Sequence, residues 1–234
     1  MPFTTTVLWR PALVMMVAAV TLLGCAAPAG PPMGSEGWHE VQIPGKSKTQ
    51  YRLSQKEGRP AVSAWSRQSA SLWRRRVEAE QALAQHIEFS WWVQDLVPGG
   101  NVALAEHEDA AARVLLAFNG DIKKLPGRTR MMFDLAEALT GETPPYATLM
   151  YVWDASAPVG TVIVNPRSDR IRKIVVDSGA SQLRQWRQHR RDLAADFRLA
   201  FGEEPGPLAS VAIMADSDNT SSSAQTWFGE IRLH

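Results

Sequence analysis

Two rhythms of apolar and polar positions run along this chain, and the faster one dominates. Ile87, Phe89, Trp91 and Val93 alternate with Glu88, Ser90, Trp92 and Gln94, the period-two signature of a strand with one face buried. Thr49, Tyr51 and Leu53 alternate in the same way. Further strands are predicted at Trp38–Ile43, Ala61–Ser66, Ser71–Val77, Ala112–Phe118, Ala147–Trp153, Ile171–Ser178, Leu208–Ala215 and Ala224–Leu233. Ala147–Trp153 and Leu208–Ala215 are apolar on both faces, as expected of central strands covered on each side. The slower rhythm, that of a helix, appears twice. Thr129 can cap a helix whose Met132, Leu135, Ala136 and Leu139 share a face, with Gly141 and Pro144 to end it. His189–Phe201 places Leu193, Phe197 and Phe201 at helical spacing, stopped by Gly202 and Pro205. Val77–Gln85 fits either rhythm. The prediction is one mainly β domain over residues 38–234, an antiparallel β-sandwich of jelly-roll type with two short peripheral helices.

The first 37 residues follow neither rhythm. A single basic residue, Arg10, precedes an apolar run to Leu23, and small Gly24 precedes Cys25. That is the layout of a secretory leader, and the apolar run is shorter than the ~20 residues of a membrane span. Leu22-Leu23-Gly24-Cys25 resembles the lipobox of bacterial lipoproteins, which implies cleavage after residue 24 and acylation of Cys25. Residues 25–37, rich in Ala, Pro and Gly, then read as a flexible tether. Ala26 rather than Asp follows the cysteine, so the resemblance implies lipid anchorage in the outer membrane, facing the periplasm. A plain signal peptide with a chance cysteine, or an uncleaved anchor helix, are the competing readings.

Charge and cysteine content narrow the chemistry. Past the leader, 24 basic residues balance 24 acidic ones, which argues against nucleic-acid binding. Cys25 is the only cysteine, so its acylation leaves no thiol for disulfides, zinc or nucleophilic catalysis. No Gly-x-Ser-x-Gly, His-Glu-x-x-His or phosphate-loop motif occurs.

Several clusters resemble one family in their order along the chain: Tyr151-Val152-Trp153, Asn165-Pro166, Val175 to Gly179, Phe201 to Pro205, and Ile213 to Thr220 followed by Ala224 to Leu233. They identify the chain as similar to the domain-of-unknown-function 3047 family of exported bacterial proteins. The resemblance implies no activity. The closing strands also resemble the end of galactose-binding-like jelly rolls.

Three groups of residues are candidates for binding. Asp216, Asp218 and Asn219 offer hard oxygens from one loop, the donors Ca²⁺ takes, although the Gly and Glu that complete an EF-hand loop are missing. The competing reading is a turn in which Asp and Asn bond their own backbone. Trp92 must point away from the face Trp91 shares with Phe89, so it either forms a sugar-stacking platform or is buried by an added helix. Trp153 and Asp154 join the candidate ligand-binding set; Trp227 reads as core. The basic clusters 74–76 and 184–191 read as solvated faces, with anionic headgroups or envelope polysaccharide as the functional alternative. The expected function is non-catalytic binding of an envelope glycan or related component by a membrane-tethered module. A glycan hydrolase using carboxylates of the Asp154 and Asp216 loops, and a protein-interaction scaffold, are the alternatives.

Overall fold

The computed structural model describes Met1 and residues 37–234; Cys25, most of the leader and the tether lie outside the described residues. Thirteen strands are present: β1 (Trp38–Gln42), β2 (Gln50–Lys56), β3 (Arg59–Arg67), β4 (Ser71–Arg76), β5 (His86–Val93), β6 (Arg113–Phe118), β7 (Ala147–Asp154), β8 (Val162–Asn165), β9 (Ser168–Ser178), β10 (Trp186–Asp192), β11 (Leu208–Met214), β12 (Ser223–Phe228) and β13 (Arg232–Leu233). They form a seven-stranded sheet, β1-β4-β11-β6-β7-β9-β8, facing a six-stranded one, β10-β5-β12-β3-β2, with β13 paired to β5. The chain passes from sheet to sheet at β3–β4–β5–β6 and again at β10–β11–β12, which is how a jelly roll wraps. All pairings are antiparallel except β7 with β9, a parallel neighbour supplied by the crossover through β8.

The alternation read from the sequence places the core. Ile87, Phe89, Trp91 and Val93 of β5 meet Val114, Leu116 and Phe118 of β6 and Leu149, Tyr151 and Trp153 of β7 in one cluster between the sheets. A second, smaller apolar cluster lies on the outer face of the seven-stranded sheet, including Leu115, Met150, Val152, Val175 and Ala212. That outer cluster is why β7 and β11 are apolar on both sides.

The helices are α1 (Gly127–Thr140) and α2 (Leu193–Phe201). Both end on a glycine in the left-handed conformation, Gly141 (φ 75°) and Gly202 (φ 73°), as Gly favours at this position. The second helix is shorter than predicted. His189–Asp192 belongs to β10, and Asp192 caps α2 by accepting from the Ala195 N–H at 2.9 Å. The first helix turns the other way from the prediction. Phe133 is its one buried side chain, while Met132, Leu135 and Leu139 are exposed. Helical spacing defines a stripe but not which stripe the sheet receives. Val77–Gln85 holds only a short 3₁₀ turn.

Candidate functional site

The outer face of the seven-stranded sheet carries an open trough of about 1000 Å³. Its floor follows from register. One row across the strands is Arg74, Ala212, Leu115, Met150 and Lys173; the next is Arg76, Ser210, Ala117, Thr148 and Ile171. Small side chains at Ala212, Ser210 and Ala117 on adjacent strands leave the space open. A second hollow of about 580 Å³ continues it beneath α1, sharing Pro144, Thr148 and Arg167 with the trough. Tyr146 stands at the margin, its hydroxyl donating to Glu203 at 3.0 Å and its ring 4.2 Å from the Arg170 guanidinium.

One end of the trough is closed by a charged cluster. Arg113 is 2 % exposed and grips Asp216 with two bonds of 3.0 Å, Nε to Oδ1 and Nη2 to Oδ2. Beside it the Glu108 carboxylate meets Lys173 Nζ at 2.7 Å, Arg167 Nη1 at 2.8 Å and Asn165 Nδ2 at 2.6 Å. Burial lowers the Lys173 ammonium to about 8, with Arg113 adding to the effect and Glu108 opposing it. Burial likewise pushes the Asp216 carboxyl up, to about 6, against the pull of Arg113. Such a group stays ionised at neutral pH, as its paired guanidinium requires.

Asp216 is therefore neither a simple turn residue nor a free ligand; it neutralises a buried arginine. Asp218 accepts from Lys46, and Asn219 donates its side-chain N–H to the Ala105 carbonyl at 2.7 Å. Asp109, not singled out from the sequence, joins them. Its carboxylate accepts from the Thr220 N–H at 2.6 Å and the Asn219 N–H at 3.2 Å, tying two loops together. Asp109, Asp216 and Asp218 each place one oxygen within 4.8 Å of the others, a spacing that could surround a cation. A Ca²⁺ there would compete with Arg113 and Lys46 for the same oxygens.

The other predicted site residues lie elsewhere. Trp153 is in the core, 1 % exposed, with its indole N–H on the Gly179 carbonyl. Asp154 is buried and turns a loop, accepting from the backbone of Ser156, Ala157 and Val102. Trp92 does point outward, in a row with Trp186 and Trp227, yet it is 4 % exposed. The β2–β3 turn roofs it: Lys56 Nζ sits 3.5 Å from the Trp92 ring and Glu57 accepts its indole N–H at 2.9 Å. Trp227 belongs to this row rather than to the core, because Ala224, Thr226 and Phe228 are the inward positions of β12. What buries Trp92 is a hairpin, not an added helix.

Between the sheets, a bulge that skips Val176 turns Asp177 inward. Asp177 then accepts from Trp91 Nε1 and from His189 Nε2, each at 2.8 Å, and from Arg187 Nε at 3.0 Å. Burial opposes its ionisation, but these bonds together hold its carboxyl below the usual range. Arg113 and Lys173 were missed in the sequence. A signal existed: each is a charge inside a run that otherwise reads as buried strand.

The scaffold is thus a two-sheet β-sandwich with one face closed by its own hairpin and the other left open among the described residues. By sequence the chain belongs to the family described as Protein of unknown function (DUF3047), whose model matches residues 36–232. No curated protein matches it. Among solved structures it is similar to a family 11 carbohydrate-binding module from Clostridium thermocellum in complex with a β-1,3-1,4-mixed-linked tetrasaccharide (10 % identity, TM-score 0.42, 86 % of this chain and 89 % of that one). It is also similar to the xyloglucanase domain of NopAA from Sinorhizobium fredii in complex with cellobiose (8 %, 0.38, 84 % and 95 %). A family 30 carbohydrate-binding module gives 10 % and 0.37, over 85 % of this chain and 91 % of that one.

Proposed function

We propose that the protein is a lipid-anchored envelope module that binds a glycan, without catalysis, in the trough of the seven-stranded sheet. The observation that carries this reading is the trough itself, about 1000 Å³ with an aliphatic floor between polar margins. The C–H faces of a sugar ring pack on Leu115, Met150 and Ala212, while Arg76, Ser210 and Thr148 reach hydroxyls. The Asp216 loop supports the margin through the Arg113 pair, with Asp218 and Asn219 at the trough end; bound Ca²⁺ would be an addition to that support. Cleavage after Gly24 and acylation of Cys25 would tether the domain at the outer membrane, within reach of periplasmic polymers. Cys25→Ser is expected to move the protein from the membrane to the soluble fraction.

Hydrolysis is the second reading, favoured by the carboxylates Glu108, Glu142 and Asp216 along the trough. Binding takes precedence because each is held by a cation: Glu108 by Lys173, Glu142 by Arg74 at 2.8 Å, and Asp216 by Arg113. The test is a glycan array with residues 25–234 alongside Thr148→Trp, which fills the floor. Binding by the unmodified chain that is lost in the variant supports the trough. Binding that survives Thr148→Trp places the ligand elsewhere, and release of reducing ends from a bound glycan would replace binding with hydrolysis.

A further inference from the structure

Helix α1 presents a face that none of the described residues covers. Met131, Leu135 and Leu139, at i, i+4 and i+8, are 72 %, 60 % and 70 % exposed, and Met132 beside them is 49 % exposed. At 100° per residue these side chains fall on one stripe, turned well away from Phe133, the helix's single buried side chain. Scattered exposed apolar residues are ordinary on any surface; three large ones in line on one helical stripe, with Met132 between that stripe and the hollow, are a contact waiting for a partner. The comparison with α2 is direct, since Leu193, Phe197 and Ala200 all face the core there. The inner side of α1 is already engaged: Phe133 and Ala136 line the hollow beside the trough.

Position selects the partner. Glu142, two residues past the end of α1, is gripped by Arg74 through bonds of 2.8 and 3.0 Å. Arg74 stands opposite His39, the second residue of β1, in the sheet register. The end of α1 and the point where the chain enters the fold therefore share one edge of the sandwich. Twelve residues separate Cys25 from Trp38, and even fully extended they span at most about 45 Å. A chain held at Cys25 keeps this edge near the bilayer. Arg128 and Arg130 in the first turn of α1 add cations suited to phosphate headgroups.

We propose that the exposed stripe of α1 rests in the interfacial region of the phospholipid bilayer, so that the domain is oriented by a helix as well as held by a lipid. This rests on the lipid-anchor reading of Cys25. It can be tested without that anchor, using residues 25–234 with Cys25→Ser, a chain that retains every strand and both helices. An N-terminal histidine tag captures this protein on vesicles of phosphatidylethanolamine and phosphatidylglycerol that carry a nickel-chelating lipid. An environment-sensitive fluorophore is attached through Leu135→Cys, and through Arg190→Cys on β10 as the comparison site. The expected result is a blue shift and a several-fold rise in emission at position 135, quenched by lipid-borne nitroxides, with position 190 unchanged. Water-like emission at position 135 on captured protein would overturn the proposal. So would a blue shift that grows with protein concentration in the absence of vesicles, since the stripe would then cover a second copy of the chain. Failure of the anchor reading shows separately, as an unacylated Cys25 in protein isolated from cells.

Discussion

The two outer faces of the sandwich obey the same alternation and end in opposite states. On the six-stranded sheet, Trp186, Trp92 and Trp227 stand side by side across three strands, and the Lys56–Arg59 turn lies over them. On the seven-stranded sheet the corresponding rows hold Ala212, Leu115 and Met150, then Ser210, Ala117 and Thr148, and stay open. A row of indoles fills its own space and offers a flat apolar surface on which a hairpin can close. A row of small and aliphatic side chains cannot meet across the gap, so a trough remains. Aromatic richness marked a face that the protein's own hairpin covers, because large rings are as good at recruiting the protein's own chain as at recruiting a sugar.

The sharpest way to break this contrast is at the trough end. Arg113→Met leaves the Asp216 carboxylate buried without its guanidinium, and a loss of about 4 kcal/mol in chemical denaturation is expected. Asp216→Ala should be comparably costly because it strands Arg113 instead. A loss near 1 kcal/mol, as expected for one loop hydrogen bond, would return Asp216 to the role of a turn residue. Trp92→Ala tests the closed face. Removing a buried indole should cost about 3 kcal/mol, yet glycan binding measured below the new midpoint should be unchanged. Loss of binding at intact fold would move the site to the Trp row.

Smaller effects sharpen the picture of the charged cluster. The Lys173 ammonium holds its proton only to about 8 in the folded protein, against 10.5 for an ordinary lysine. Between those values the unfolded chain binds more protons, so this group's contribution to stability rises with pH across the window. Relative to Lys173→Met, the native protein should therefore gain melting temperature from pH 8 to pH 10.5; a constant difference would mean that Lys173 binds its proton in the folded protein as tightly as an ordinary lysine. The smallest expected effect is that of a chelator. With Arg113 and Lys46 already on the Asp216 and Asp218 oxygens, EDTA should leave the melting temperature unmoved. A fall that is absent in Asp216→Ala would establish a bound cation.

Strand positions were legible because alternation survives translation into structure: Phe89 and Trp91 face the core as the pattern requires. β10 was not legible. Trp186–Asp192 is an edge strand whose Arg187 and Arg191 are spent on ion pairs with Asp177 and Asp196, so it carries no apolar rhythm. Short β8, four residues long, fell below any periodic signal. The phase of β12 was misread because Trp227 looked more like core than Thr226, yet the Thr226 hydroxyl is buried with the Ala111 carbonyl as its acceptor at 2.7 Å. The trough and its ion pairs required partners about a hundred residues apart in the chain, as Arg113 and Asp216 are. No local pattern reports such a pairing; a charge placed inside an apolar run is the only local trace it leaves.

Sheet order also sets a schedule. β1 and β4 reach β6 only through β11, and β2 and β3 reach β5 only through β12. The pairs β1–β4 and β2–β3 thus wait for strands made from residues 208–228 before either has a neighbour on its inner edge. Folding with so many distant pairings is slow, and a chain that emerges amino-terminus first cannot close either sheet until nearly all of it is available. Under the proposed export of the chain, that delay would keep both sheets open during passage, and the last strands to arrive would lock the first ones in place.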